Sequence, residues 1–226
     1  MTVLVTGGLG YIGSRLIREI PDHPAYSGEE IRILDNYRQP RFHSLWDLPS
    51  YADYDMVRGD IRDEDDRAEA LEGVDTVFHL AAITNAPETF DIPEKTWEVN
   101  HEAAVALFED AQEAGVDEFV NAVTCSVYGR TEEEITEEFD CEPESPYGEA
   151  KLAAEQEMFE KYDGEIGLTG LRLGTVYGWT TGMRFDTVVD KFAWLAAMDE
   201  PLTVYEGAEE QKRPYLHVQD AVRSML

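Results

Sequence analysis

Tyr147 and Lys151 stand four positions apart in Ser145-Pro-Tyr-Gly-Glu-Ala-Lys151. On a helix that spacing projects both side chains from one face. Such a pair can move a proton to or from a hydroxyl beside it. The chain opens with Val3-Leu-Val-Thr-Gly-Gly-Leu-Gly-Tyr-Ile-Gly13, an apolar run leading into closely spaced glycines. A strand, a glycine turn and a helix in that order form a place to hold a dinucleotide. Neither motif decides alone. Together they point to hydride chemistry on an alcohol or ketone.

The residues around each motif sharpen that expectation. A phenol has an ordinary pKa near 10 and is a poor base at neutral pH. The Lys151 ammonium, with a positive nicotinamide ring, favours phenolate at Tyr147. A fall from about 10 to about 7 corresponds to roughly 4 kcal/mol, plausible in a shielded cleft. Lys151 can also hydrogen-bond the nicotinamide ribose. Thr124 ends an apolar run in Val123-Thr-Cys-Ser-Val-Tyr-Gly129. Its hydroxyl can hold the reacting oxygen against Tyr147, and Ser126 can share that task or touch the substrate. Cys125 has no histidine placed to activate it and is not read as a nucleophile.

On the cofactor side, Gly7 and Gly10 allow the tight turn and Gly13 lets helix and strand pack closely. Asp35 follows Gly13 by 22 residues at the end of the next apolar run. A carboxylate there takes both ribose hydroxyls of adenosine and repels a 2′-phosphate, so NAD is expected rather than NADP. Gly59-Asp-Ile61 and His79-Leu-Ala-Ala82 follow two further runs and are placed to line the same groove. Ala81 and Ala82 are small enough for a cofactor to lie against the backbone. His79 is expected to be structural.

Those residues need elements to carry them. The pattern predicts strands at Val3–Thr6, Ile31–Asp35, Met56–Arg58, Val74–Leu80, Glu118–Val123 and Gly167–Leu173. Between them it predicts helices at Tyr11–Ile20, Asp63–Leu71, Pro93–Ala114 and Ser145–Tyr162. This alternation specifies an α/β fold: a doubly wound, parallel, Rossmann-like sheet with helices on both faces. Thr131–Glu144, the most acidic stretch, is expected to be a surface loop. Residues 1–178 are expected to form the dinucleotide-binding domain. From Trp179 the pattern changes to a helix near Phe185–Met198 and short strands at Leu202–Tyr205 and Tyr215–Val218. Residues 179–226 therefore look like the start of a small substrate-covering region.

Charge excludes several partners. The chain has 226 residues with 48 acidic against 18 basic side chains, a net charge of −30. Such a field repels nucleic acid and anionic lipid. The acids are spread among apolar periodic segments rather than massed in one tail, which fits a folded protein with an acidic shell suited to high salt. A salt-loving source is the expectation. No apolar run is long enough to span a bilayer, and Met1 leads straight into a strand without a leader pattern, so a cytoplasmic location is expected. Cys125 and Cys141 have no metal-ligand spacing, and reduced thiols with no bound metal are expected.

These motifs resemble the extended short-chain dehydrogenase/reductase superfamily, in its NAD-dependent nucleotide-sugar epimerase and dehydratase branch. By that resemblance Gly7, Gly10 and Gly13, with Tyr11 and Ile12 between them, look like the family's TGxxGxxG turn. Asp35-Asn36 look like its ribose-binding pair and Asp60-Ile61 like its adenine contacts. Leu80-Ala81-Ala82 resemble the segment beside the cofactor, and Asn100 the asparagine on the following helix. Thr124, Tyr147 and Lys151 occupy its catalytic triad. Thr84, Thr124, Ser126, Thr175 and Arg213 fall where the sugar nucleotide would lie, with Arg213, in Gln211-Lys-Arg-Pro-Tyr-Leu-His-Val218, meeting its diphosphate. Thr175 stands where the family usually has asparagine. Dehydratases of the branch place Asp-Glu directly after the active-site threonine, and this chain has Cys125-Ser126. Water elimination is thereby disfavoured.

The resemblance implies an NAD-dependent, 4-epimerase-like enzyme that oxidises a ring hydroxyl of a nucleotide sugar transiently. It also implies a homodimer paired through the helices of Asn100 and Tyr147. Relatives extend further, so the chain is expected either to be truncated or to complete its site differently. Two alternatives remain open: a dehydrogenase or reductase of a small alcohol, threonine-dehydrogenase-like, and a non-catalytic dinucleotide sensor.

Overall fold

The computed structural model describes residues 1–39, 41–131, 133–204 and 212–226. Strand β1 (Thr2–Thr6) leads through the glycine turn into α1 (Gly13–Glu19), and Pro21 lies in the single 3₁₀ turn that ends it. Next come β2 (Glu30–Asp35), β3 (Asp53–Arg58) and α2 (Glu64–Leu71). Asp63 caps α2 by accepting from the backbone N–H groups of Asp65 and Asp66, and three acids occupy its first turn. Strand β4 (Thr76–His79) precedes a short α3 (Ala86–Thr89).

The helix expected over Pro93–Ala114 is present with a wide turn inside it. Helices α4 (Pro93–Trp97) and α5 (Ala103–Ala114) are joined by a π-helical segment at Glu98–Glu102. Strand β5 (Glu118–Thr124), α6 (Pro146–Glu160) and β6 (Gly167–Leu173) complete the alternation. After them come β7 (Thr175–Tyr177), α7 (Val188–Ala197), β8 (Tyr215–His217) and α8 (Val218–Met225).

The six main strands form one parallel sheet in the order β3-β2-β1-β4-β5-β6. Alternate residues supply its two faces. Val3 and Val5 pack with Ile31, Ile33, Phe78, Leu16 and Ile17 on one side. Leu4 and Val77 pack with Leu107, Phe108, Phe119 and Met158 on the other. Chain order reverses between β1 and β4. In an open sheet of this type a crevice forms there, beyond the carboxyl ends of the strands.

The differences from expectation have physical reasons. Strand β3 starts three residues before the expected Met56, because it is the edge of the sheet and its acidic positions Asp53 and Asp55 face solvent. The strand expected at Leu202–Tyr205 is not found: residues 202–204 have no regular structure, and Tyr205 lies outside the described residues. Strand β7 was not anticipated. It pairs in parallel with β8, Val176 opposite Leu216. Helix α8 was not anticipated either. Its Val218, Ala221, Val222 and Met225 return to the face of β1 and α1. Among the described residues, no helix is long and apolar enough to cross a membrane.

Candidate active site

A cavity of about 540 Å³ opens at the switch point between β1 and β4. The glycine turn forms its floor. Gly7 has φ of +68°, and a Cβ there would lie 2.8 Å from the backbone nitrogen of Ala81. A Cβ on Gly13 would come within 2.5 Å of the Gly7 carbonyl oxygen. Helix α1 starts at this turn with no side-chain cap, which leaves its positive end open to an anion.

Thr6 ties the two sides of the crevice together. Its hydroxyl accepts from the N–H groups of Leu80 and Ala81, both at 3.2 Å, and pairs with His79 Nδ1 at 2.8 Å. His79 is fully buried, and burial, with the nearby Lys151 charge, pushes its pKa down to about 3. It stays neutral and acts as a structural bridge. Asn100 is also fully buried, behind the cavity wall. Its amide accepts from Ile83 N–H and donates to the Ile83 carbonyl, both at 2.8 Å. Asn100 thus holds the loop after β4 from behind and does not itself line the cavity.

At the far end of the cavity, Asp35 accepts from the N–H groups of Tyr37 at 2.9 Å and Leu9 at 3.2 Å. Burial raises its carboxyl above the usual range, against the pull of those two bonds. Asp60 is gripped by the Arg62 guanidinium and by Asn36, at 2.9 to 3.0 Å. Those bonds, Arg62 first, hold it down at about 2. The expected ribose and adenine positions thus form one fixed polar ledge.

The reacting end is built by β5 and α6. Ser145 caps α6, accepting from Gly148 N–H at 3.2 Å, and Pro146 occupies the first helical position. Tyr147 is thereby set in the first turn and Lys151 one turn later. Thr124 is 8% exposed at the end of β5. Its oxygen accepts from Ser126 N–H at 3.1 Å and lies 3.2 Å from Ser126 Oγ. Thr124, Cys125, Ser126, Tyr147 and Lys151 all line the same cavity as the glycine turn.

The protein's own groups do not by themselves lower the Tyr147 phenol. Burial raises the Tyr147 phenol above its ordinary value, while hydrogen bonding to Thr124 and the Arg184 charge act against that rise. Lys151 is 2% exposed, and its Nζ donates to the Ala122 carbonyl at 2.9 Å. Burial lowers its own pKa to about 8. The ammonium thus serves the backbone of β5.

Sequence reasoning missed Arg184. Its Nη1 donates to Thr84 Oγ1 at 2.7 Å, and its guanidinium lies 5.5 Å from the Tyr11 ring centre. The scarcity of cations was the available signal. Six cationic side chains and four carboxylates line this cavity, against 18 and 48 in the whole chain. The crevice is locally positive within a strongly acidic protein. Glycines whose missing Cβ atoms clear the floor, an open helix end and an excess of cations together fit NAD, an extended molecule with an anionic diphosphate.

A second, more open cavity adjoins the first through Cys125, Ser126, Gly174 and Thr175. Arg213 lines this second space and not the first. Gln211, at the start of the stretch that carries Arg213, lies outside the described residues.

Sheet order, glycine turn and switch-point crevice define a Rossmann-like dinucleotide-binding fold. The family model for the NAD dependent epimerase/dehydratase family matches residues 3–226, and the chain belongs to that family of NAD-dependent enzymes. It is 29% identical over 233 residues to an uncharacterized UDP-glucose epimerase, YtcB, of Bacillus subtilis, covering 100% of this chain and 71% of that protein. It is 30% identical over 231 residues to the dTDP-D-glucose 4,6-dehydratase of Mus musculus, covering 99% and 63%. Among solved structures, the UDP-glucose 4-epimerase of Thermotoga maritima with UDP-glucose superposes with a TM-score of 0.87 at 26% identity, covering 100% of this chain and 72% of that one. The chain thus spans between 63% and 72% of the length of these three proteins.

Proposed function

We propose that this protein is an NAD-dependent epimerase of a nucleotide sugar, acting at a ring hydroxyl, most simply the one on C4. One observation carries the reading: Gly7, Gly10, Asp35, Thr124, Tyr147 and Lys151 line a single cavity. NAD, when bound, supplies a reversible hydride acceptor. Gly7, Gly10, Tyr11, Ile12 and Gly13 would hold its diphosphate through backbone, Asp35, Asn36, Asp60 and Ile61 its adenosine, and Leu80, Ala81, Ala82 and Lys151 its other half. Tyr147 takes the proton from the sugar hydroxyl and later returns it. Thr124 holds the reacting oxygen toward the phenol, with Ser126 beside it. Thr84 and Thr175 face the sugar, and Arg213, on the adjoining cavity, suits the diphosphate of the sugar nucleotide.

The two residues after Thr124 favour epimerisation over dehydration. Elimination of water needs an acid beside the leaving hydroxyl. Cys125 and Ser126 offer no carboxyl group, and burial pushes the Cys125 thiol up. Incubation of the purified protein and NAD with UDP-glucose, UDP-galactose and related sugars should interconvert a C4 pair without net NADH. Net NADH from a small non-nucleotide alcohol would select a simple dehydrogenase instead. No conversion anywhere in the panel would end the epimerase reading.

The acidic shell supports a second part of the reading, a source with high internal salt. Self-repulsion among 48 carboxylates is screened as ionic strength rises. The melting temperature should therefore climb as KCl is raised from low to molar concentration. A fall over that range would rule out this account of the charge.

A further inference from the structure

The segment from Gly178 to Thr187 crosses the glycine turn and is fastened to it by polar bonds. Asp190, in the first turn of α7, is 4% exposed. Three donors converge on its carboxylate: Gly178 N–H at 3.1 Å, the Thr187 hydroxyl at 3.1 Å and the Tyr11 hydroxyl at 2.9 Å. Tyr11 belongs to the glycine turn, and its hydroxyl also contacts the Gly178 carbonyl. A phenol has one proton, so the two acceptors share it.

Further bonds fasten the same crossing. Ser14 Oγ lies 2.6 Å from Thr180 Oγ1 and accepts from Gly182 N–H at 2.9 Å. A Cβ on Gly182 would collide with the Gly10 carbonyl oxygen, so only glycine permits this approach. Arg41 donates to the Gly182 carbonyl at 3.3 Å, and Arg184 to Thr84. The segment therefore touches the loops after β1, β2 and β4. Its Arg184, Asp186 and Thr187 form one wall of the cavity whose floor is the glycine turn.

Apolar packing on this segment is confined to Met183, which lies against the core beside α1. Trp179 and Phe185 on the same segment are 71% and 45% exposed. A covering held by a few hydrogen bonds opens more readily than one held by packed core. Gly178, at the start of the segment, has φ of +113°, a conformation that favours glycine.

We propose that Asp190 is a positioning residue that latches residues 178–187 across the glycine turn, so that a dinucleotide in the cavity is retained between latch and turn. The retention half rests on the NAD reading above. The latch itself does not.

Two substitutions loosen the latch without emptying the core. Asp190→Asn turns one acceptor oxygen into a donor that faces other donors. Tyr11→Phe keeps the packed ring and removes the hydroxyl. Hydrogen exchange of residues 178–187 in dinucleotide-free protein should rise about tenfold in either variant, with β1 and β4 unaffected. Release of bound NAD into a trapping enzyme should quicken by a similar factor. The double variant should go little beyond the faster single one, because both remove the same bond. Exchange at the wild-type rate in both variants would overturn the latch. Faster exchange with unchanged NAD release would overturn retention. Faster exchange in the variants, with no NAD taken up even by wild-type protein, would locate the failure in the cofactor reading.

Discussion

Tyr147→Phe should lower kcat by about 10²- to 10⁴-fold, the range expected on losing a positioned proton-transfer group. Dinucleotide affinity and melting temperature should stay close to wild type. The ring keeps its place in the first turn of α6, whose start is fixed by Ser145 and Pro146 rather than by the phenol. The hydroxyl has Thr124 as its hydrogen-bonding neighbour, and Thr124 keeps its bonds to Ser126 without it. Loss of kcat at constant affinity is the signature of a group that acts in the transition state. The pH profile adds a second check. Burial holds the phenol above its ordinary value in the dinucleotide-free protein, so wild-type activity should rise with pH as the phenolate fraction grows, and the residual activity of the variant should lose that limb. Activity within threefold of wild type would remove Tyr147 from the proposed chemistry.

The sheet was legible because each of its strands is bounded by a helix with the other period. Val3–Thr6 and Gly167–Leu173 could be placed almost to the residue from apolar runs and their glycine or proline boundaries. The cofactor floor was legible for a related reason: a glycine needed for close approach leaves its spacing in the chain, as Gly7 and Gly13 do. Two kinds of feature were not readable. Strand β7 has three residues and pairs with β8 some forty positions later, so neither partner has a period of its own. The roles of Asn100, Asp190 and Arg184 depend on what the backbone brings opposite them. Nothing local in Thr-Val-Val-Asp190 announces that Tyr11 will reach its carboxylate. Helix α8 is a different case. Val218, Ala221, Val222 and Met225 have helical spacing, but the preceding strand of Tyr-Leu-His217 blurred the boundary.

Lys151→Met should make the protein more stable at pH 7 and less active, a combination that separates a functional lysine from a structural one. Lys151 is almost fully buried, and burial lowers its pKa to about 8. In the unfolded chain a lysine titrates near 10.4. At neutral pH the group is charged in both states, so the native state bears the cost of a desolvated ammonium. Methionine of similar length removes that cost, although the Ala122 carbonyl loses its donor. The balance is a gain on the order of 1–2 kcal/mol, seen as a rise of a few degrees in Tm. The sign of the pH dependence follows from linkage. Between about pH 8 and about pH 10 the unfolded state binds the proton that the native state has released, so wild-type stability gains relative to the variant as pH rises. The full linkage across that window is roughly 3 kcal/mol, so the advantage of the methionine variant should vanish within it and reverse by its upper end. His79 should stay neutral throughout, since burial is the first cause of its low pKa and the Lys151 charge only the second. A variant less stable than wild type at pH 7, by an amount that does not change up to pH 10, would show that the ammonium is needed for folding. The position would then be structural, and the proton at Tyr147 would have to be controlled by the Arg184 side of the cleft.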